Sequence, residues 1–75
     1  PDEAIAILEP LIAGQPTRID ARLLLGRCYR ATGQEERARA LYATLRDDPS
    51  VPPNVRQLAD RQLQEIEAKG AQPNP

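Results

Sequence analysis

The sequence predicts an all-α chain of about four helices, joined as antiparallel helix-turn-helix hairpins. Three observations predict it. Apolar residues recur at helical spacing in every longer segment, and none alternates in the manner of a half-buried strand. Gly and Pro punctuate those segments at Gly14–Pro16, Gly33, Pro49–Pro53 and Gly70. The connections left between segments are short, and short connections make neighbouring helices antiparallel.

The first segment, Asp2 to about Ala13, carries Ala4, Ile5, Leu8, Leu11 and Ile12 on one face. Asp2 and Glu3 suit the positive end of the helix dipole. Pro10 cannot donate to the carbonyl of Ala6, which predicts a kink. Gly14 and Pro16 then predict the stop. The second segment, about Arg18 to Thr32, presents Ala21, Leu24, Leu25, Cys28 and Tyr29 as a stripe. Thr17 and Asp20 have capping-box spacing. Gly33 reads as the left-handed terminator. The third segment, about Gln34 to Arg46, has the stripe Ala38, Leu41, Tyr42 and Leu45, with Glu35, Glu36 and Arg46 matched to the dipole. Asp47–Pro52 reads as a turn. The fourth helix, about Pro53 to Lys69, opens on a proline suited to the first helical position. Its buried side is predicted as Val55, Leu58, Ala59, Gln62, Leu63 and Ile66. Arg56, Asp60, Gln64 and Glu67 are placed on the opposite side, and Gly70 ends the helix. Residues 71–75, with two prolines, read as a disordered tail or linker.

Composition narrows the function. The chain has 75 residues, ten Lys+Arg against eleven Asp+Glu, and a net charge of −1. That balance provides no pull toward nucleic acid or an anionic membrane. With no Phe or Trp and two Tyr, there is no platform for base stacking. No apolar run approaches the roughly 20 residues that span a bilayer. With no His and one Cys, the usual zinc sites, histidine acid–base chemistry and an internal disulfide are absent. Cys28 sits on an apolar stripe without a His partner and reads as a core residue. The acid pairs Glu35-Glu36 and Asp47-Asp48 lack the alternating ligands and fixed Gly of a calcium loop. The glycines do not cluster as a phosphate loop would require. The expectation is a chain with no enzyme activity, no cofactor and no metal.

A repeat underlies the pattern. Shifted by 34 residues, Ala4 falls on Ala38, Leu8 on Tyr42 and Leu11 on Leu45, and Pro16 lands one residue past Pro49. Leu25, Gly26 and Tyr29 in the second segment, with Ala38 and Tyr42 in the third, carry a further likeness. Together they resemble the signature of the tetratricopeptide repeat family. Two positions depart from it: the family's large aromatic falls on Arg22, and a usual small residue falls on Leu45. A glycine inside a helix costs about 1 kcal/mol relative to Ala. Gly26 is therefore expected to permit a close helix approach, with Ala38 opposite and the two tyrosines filling the space.

The resemblance implies a division of the chain. Residues 1–16 match the second helix of a preceding repeat, 17–50 one complete repeat, and 51–70 the capping helix that follows a last repeat. An unstacked helix leaves an apolar face uncovered. The expectation is therefore an excised C-terminal part of a longer array, or self-association through the first helix by way of Ile5, Ile7 and Ile12.

The same resemblance implies a protein-protein interaction module that binds a peptide or partner protein in a groove lined by the first helices of repeats. Leu23, Arg27 and Arg30 would lie on one wall, and Asn54, Gln57 and Arg61 on the other. Arg holds a carboxylate at two points, and Asn and Gln bond a peptide backbone, which suits a peptide bearing an acidic group. Leu23 stands where carboxylate-clamping relatives have Lys. The alternative is a structural cap or spacer in a larger multidomain protein. The tract 47–69, with Pro-Pro-Asn-Val-Arg at 52–56, is similar to helices that end periplasmic arrays before bacterial outer-membrane barrels. The compartment, cytoplasmic or periplasmic, is left open by the sequence.

Overall fold

The computed structural model describes residues 2–71. They form α1 (Asp2–Gly14), α2 (Ile19–Ala31), α3 (Glu35–Asp47) and α4 (Pro53–Ala71). The principal contacts run in chain order, α1 on α2, α2 on α3 and α3 on α4. Such a stack buries its middle best. On α3, Ala38, Tyr42 and Leu45 have at most 1% of their surface exposed, which follows from neighbours on two sides. Ile5 and Leu8 of α1, Ala21, Leu25, Cys28 and Tyr29 of α2, and Ala59, Leu63 and Ile66 of α4 complete the core.

α1 continues through Pro10 to Gly14. Gly14 does not adopt the left-handed conformation; the Gln15 N–H donates to the Leu11 carbonyl at 2.8 Å and extends the last turn. The predicted capping box at α2 does not form. Arg18 is the N-cap residue, and no side chain caps the helix. Asp20 instead accepts two bonds from the Arg18 guanidinium, both 3.1 Å. That fork occupies both carboxylate oxygens, and the guanidinium lowers the Asp20 pKa from the ordinary aspartate value.

The end of α2 follows the sequence. Gly33 has φ +78°. The Gln34 N–H reaches the Tyr29 carbonyl at 2.7 Å, and the Gly33 N–H reaches Arg30 at 3.2 Å. This is a Schellman closure, and it turns the chain back within a few residues.

Three side chains depart from the predicted stripes. Leu24 is 47% and Leu58 42% exposed, whereas Arg22 is 8% exposed. The buried face of α2 is centred on Ala21, Leu25 and Cys28, which moves Leu24 to its edge and draws Arg22 inward. The Arg22 stem covers apolar surface there while its head faces Asp48. Arg56 is drawn in too. Its Nε donates to the Arg46 carbonyl at 3.0 Å, satisfying an acceptor that the end of α3 would leave free.

The α3–α4 turn is set by Asp48, whose Oδ1 accepts from the Ser50 N–H and hydroxyl at 2.9 and 2.7 Å. That turn points Val51 into the core, where it is buried. α4 starts on Pro53 as predicted and runs past Gly70 to Ala71. Residues 72–75, where a tail is expected, lie outside the described residues, as does Pro1.

Candidate functional site

The close approach at Gly26 organises the middle of the molecule. A β-carbon at this position would stand 2.7 Å from Tyr42 Cζ, 2.9 Å from its hydroxyl oxygen and 3.0 Å from Cε1. The missing side chain thus makes room for the Tyr42 ring of α3. Tyr42 is one of the two tyrosines expected to fill this space. The other expected packing residues lie in the core: Leu8, Leu25, Tyr29 and Ala38 are buried, and Ala4 packs against them.

Tyr29 closes a second junction. Its hydroxyl donates to Glu9 Oε2 at 2.6 Å, and Arg37 stands 3.7 Å from the same oxygen. One acid of α1 thereby ties α2 and α3 together. Burial, then the bond to Glu9, raises the Tyr29 pKa above the ordinary tyrosine value.

Above Tyr42, α2 and α4 flank a cleft of about 350 Å³. Leu23 and Arg27 line it from α2, Leu58 and Gln62 from α4, and Tyr42 forms its floor. Arg30 borders one end. It donates to Gln62 Oε1 and stands 3.8 Å from Glu65, bridging the two helices. The ion pairs of α2 involve Arg18, Arg22 and Arg30. Among the described residues Arg27 is left with none, although it is exposed beside the cleft. The Tyr42 hydroxyl is buried without a hydrogen-bond partner. Burial raises its pKa, against a smaller opposing pull from Arg30 and Arg27.

The structure therefore brings Leu23 and Arg27 together and sets Arg30 beside them. It does not bring Asn54, Gln57 or Arg61 to this cleft. Asn54 and Arg61 are exposed on α4, and Gln57 lines a different hollow with Arg46, Arg56 and Asp60. The α4 residues that do face α2 are Leu58 and Gln62, one position along from Gln57 and Arg61. One residue is about 100° of helix rotation. Two helices side by side face one another with opposite edges, so copying the α2 positions onto α4 by the repeat interval selects the far edge. Leu58 and Gln62 were legible as the apolar-side residues of α4, but not as cleft residues.

Among the described residues no group of acids and thiols is arranged to hold a metal ion, and no helix is long and apolar enough to cross a membrane.

A serial stack of antiparallel helices with a cleft between alternate members defines a helical-repeat scaffold. The tetratricopeptide repeat model matches residues 1–61, and the chain belongs to that family. No curated protein and no solved structure matches it. As a tetratricopeptide repeat protein, the chain is a protein-interaction module in the general sense.

Proposed function

We propose that the α2–α4 cleft captures a partner peptide bearing an acidic side chain beside an aliphatic one. The observation that carries this reading is the unpaired Arg27 between two partly exposed leucines, Leu23 and Leu58. A guanidinium free of intramolecular acids is available to a ligand carboxylate. The leucines supply apolar contact on either side, and Gln62 supplies both a donor and an acceptor for a peptide backbone.

Selection of a displayed random-peptide library on the folded chain tests it. Recovered sequences should be enriched in Asp or Glu next to Leu, Ile or Val. Arg27→Glu should abolish the enrichment, and Arg61→Glu should leave it unchanged. Acid-independent recovery, or equal loss with Arg61→Glu, would reject the cleft.

A second reading has its own observation. Ile7 of α1 is 68% exposed, and its face lies away from α2. This supports α1 as the second helix of a repeat whose first helix precedes it, residues 17–50 as one complete repeat, and 51–70 as a cap. The outward side of α4 is largely polar, with Arg61, Gln64, Glu65 and Glu67 exposed, which suits a terminal helix. In that role the segment closes an array inside a larger protein, or pairs with a second copy through α1. Ile7→Ser should lower self-association in sedimentation velocity while leaving thermal stability unchanged. Identical sedimentation of both forms at high concentration would exclude pairing through α1.

A further inference from the structure

A second hollow, sharing no lining residue with the cleft, opens where the α1–α2 turn meets the α3–α4 turn. It holds about 630 Å³, within the range of small-molecule sites. Ile12, Ile19, Leu41 and Val51 give it apolar walls, and Arg22 and Asp48 stand together among them.

The charged pair is held loosely. Arg22 Nη1 is 3.7 Å from Asp48 Oδ2, with the side chains 10% and 32% exposed. Its one hydrogen bond goes to the Pro16 carbonyl, at 3.5 Å. Charge-assisted bonds close at about 2.7–2.9 Å, so neither contact is a close one. A mostly buried guanidinium held only at these distances can take up a closer acceptor. Asp48 is fixed from the other side, because Ser50 occupies its Oδ1 with two bonds. Oδ2 stays directed at Arg22 and free to accept. The two opposite charges are therefore close together, ungripped, and backed by aliphatic walls.

We propose that this hollow binds a free aliphatic α-amino acid in its zwitterionic form. The ligand carboxylate takes the Arg22 guanidinium, its ammonium donates to Asp48 Oδ2, and its side chain lies against the apolar walls. The hollow is neutral overall, which gives the selectivity. A plain carboxylic acid meets the repulsion of Asp48, and a plain amine meets that of Arg22. Only a ligand with both charges on adjacent groups complements both.

The test uses leucine and its two halves. The isotope-labelled chain is titrated with leucine, with 4-methylpentanoate, which lacks the ammonium, and with 3-methylbutylamine, which lacks the carboxylate. Leucine should shift the amide resonances of Ile19, Arg22 and Val51 saturably. Each analogue should bind at least about tenfold more weakly, since each loses a hydrogen bond between charged groups. Asp48→Asn should weaken leucine and strengthen 4-methylpentanoate, an inversion that loss of fold cannot mimic. If that variant does not fold, the comparison of the three ligands on the unaltered chain decides. Absence of saturable shifts with leucine, or an analogue binding as tightly as leucine, would overturn the proposal.

Discussion

Gly26→Ala should destabilise this protein, although the same change in an open helix stabilises. An alanine gains about 1 kcal/mol over glycine in a helix interior. Here the new β-carbon would enter to 2.7 Å of Tyr42 Cζ, whereas carbon atoms attract best at about 3.5–4.0 Å. Tyr42 is 1% exposed and cannot swing into solvent. Its ring can yield only toward the cleft above it, or by pushing α3 from α2. Overpacking of this kind costs about 1–3 kcal/mol. Since the observed overlap approaches 1 Å and involves ring atoms, we take the upper part of that range, leaving a net loss of roughly 1–2 kcal/mol after the propensity gain. For a domain this small, that is a fall in melting temperature of roughly 5–15 °C. The assay is urea and thermal unfolding followed by far-ultraviolet circular dichroism. The decisive measurement repeats Gly26→Ala in a Tyr42→Leu background, where the two clashing ring carbons and the hydroxyl are gone. There the substitution should change sign and stabilise by about 1 kcal/mol. A stabilising Gly26→Ala in the unaltered chain, or no change of sign with Tyr42→Leu, would refute the packing argument.

Gly14 and Gly33 provide controls. Gly14→Ala meets no atom within 4 Å and should stabilise by about 0.4–1 kcal/mol, whereas Gly33→Ala, at φ +78°, should cost about 1–2 kcal/mol in the same unfolding assay. Tyr42→Phe removes a buried hydroxyl without a partner, a group whose desolvation costs about 1–3 kcal/mol, so its urea midpoint should rise. Both tyrosines have pKa values raised above the ordinary 10.0, chiefly by burial. Their protonated forms are thus favoured by folding, so this contribution is complete below pH about 10 and is lost as pH climbs through the raised values. Urea midpoints measured at increasing alkaline pH should fall, and fall less for Tyr42→Phe. Arg22→Met replaces a buried, loosely paired guanidinium and should be neutral or stabilising by about 1–4 kcal/mol, while Arg22→Ala, which also removes the stem, should destabilise.

The parts of the fold legible in the sequence were those fixed by one strong local cause. Gly33 specified a left-handed residue, and the Schellman bonds closed around it. Pro53 marked the first turn of α4. Ala38, Tyr42 and Leu45 were readable as core because a helix with neighbours on two sides tolerates no polar residue on either. Where two local causes competed, the sequence was ambiguous. Asp20 could have capped α2 with Thr17, yet a two-point ion pair with Arg18 claimed it. Val51 looked like part of a turn because prolines flank it, and its burial follows only from the direction in which Asp48 and Ser50 set the chain.

The cleft was half legible for a geometric reason. Periodicity gives the faces of one helix, and the repeat interval carries those faces from α2 to α4 by translation. Facing edges are related differently: the edge of α2 that carries Leu23 and Arg27 meets the edge of α4 that carries Leu58 and Gln62. Translation alone therefore selects Gln57 and Arg61, each one residue away from the side chains that line the cleft. The partial exposure of Leu58 follows from the same geometry. Helical phase places it beside Ala59 and Gln62, but the neighbour on that side is the open cleft rather than another helix. A leucine at such an edge keeps part of its surface in solvent. Leu23, which lines the same cleft from α2, is held more firmly because it also packs against the core.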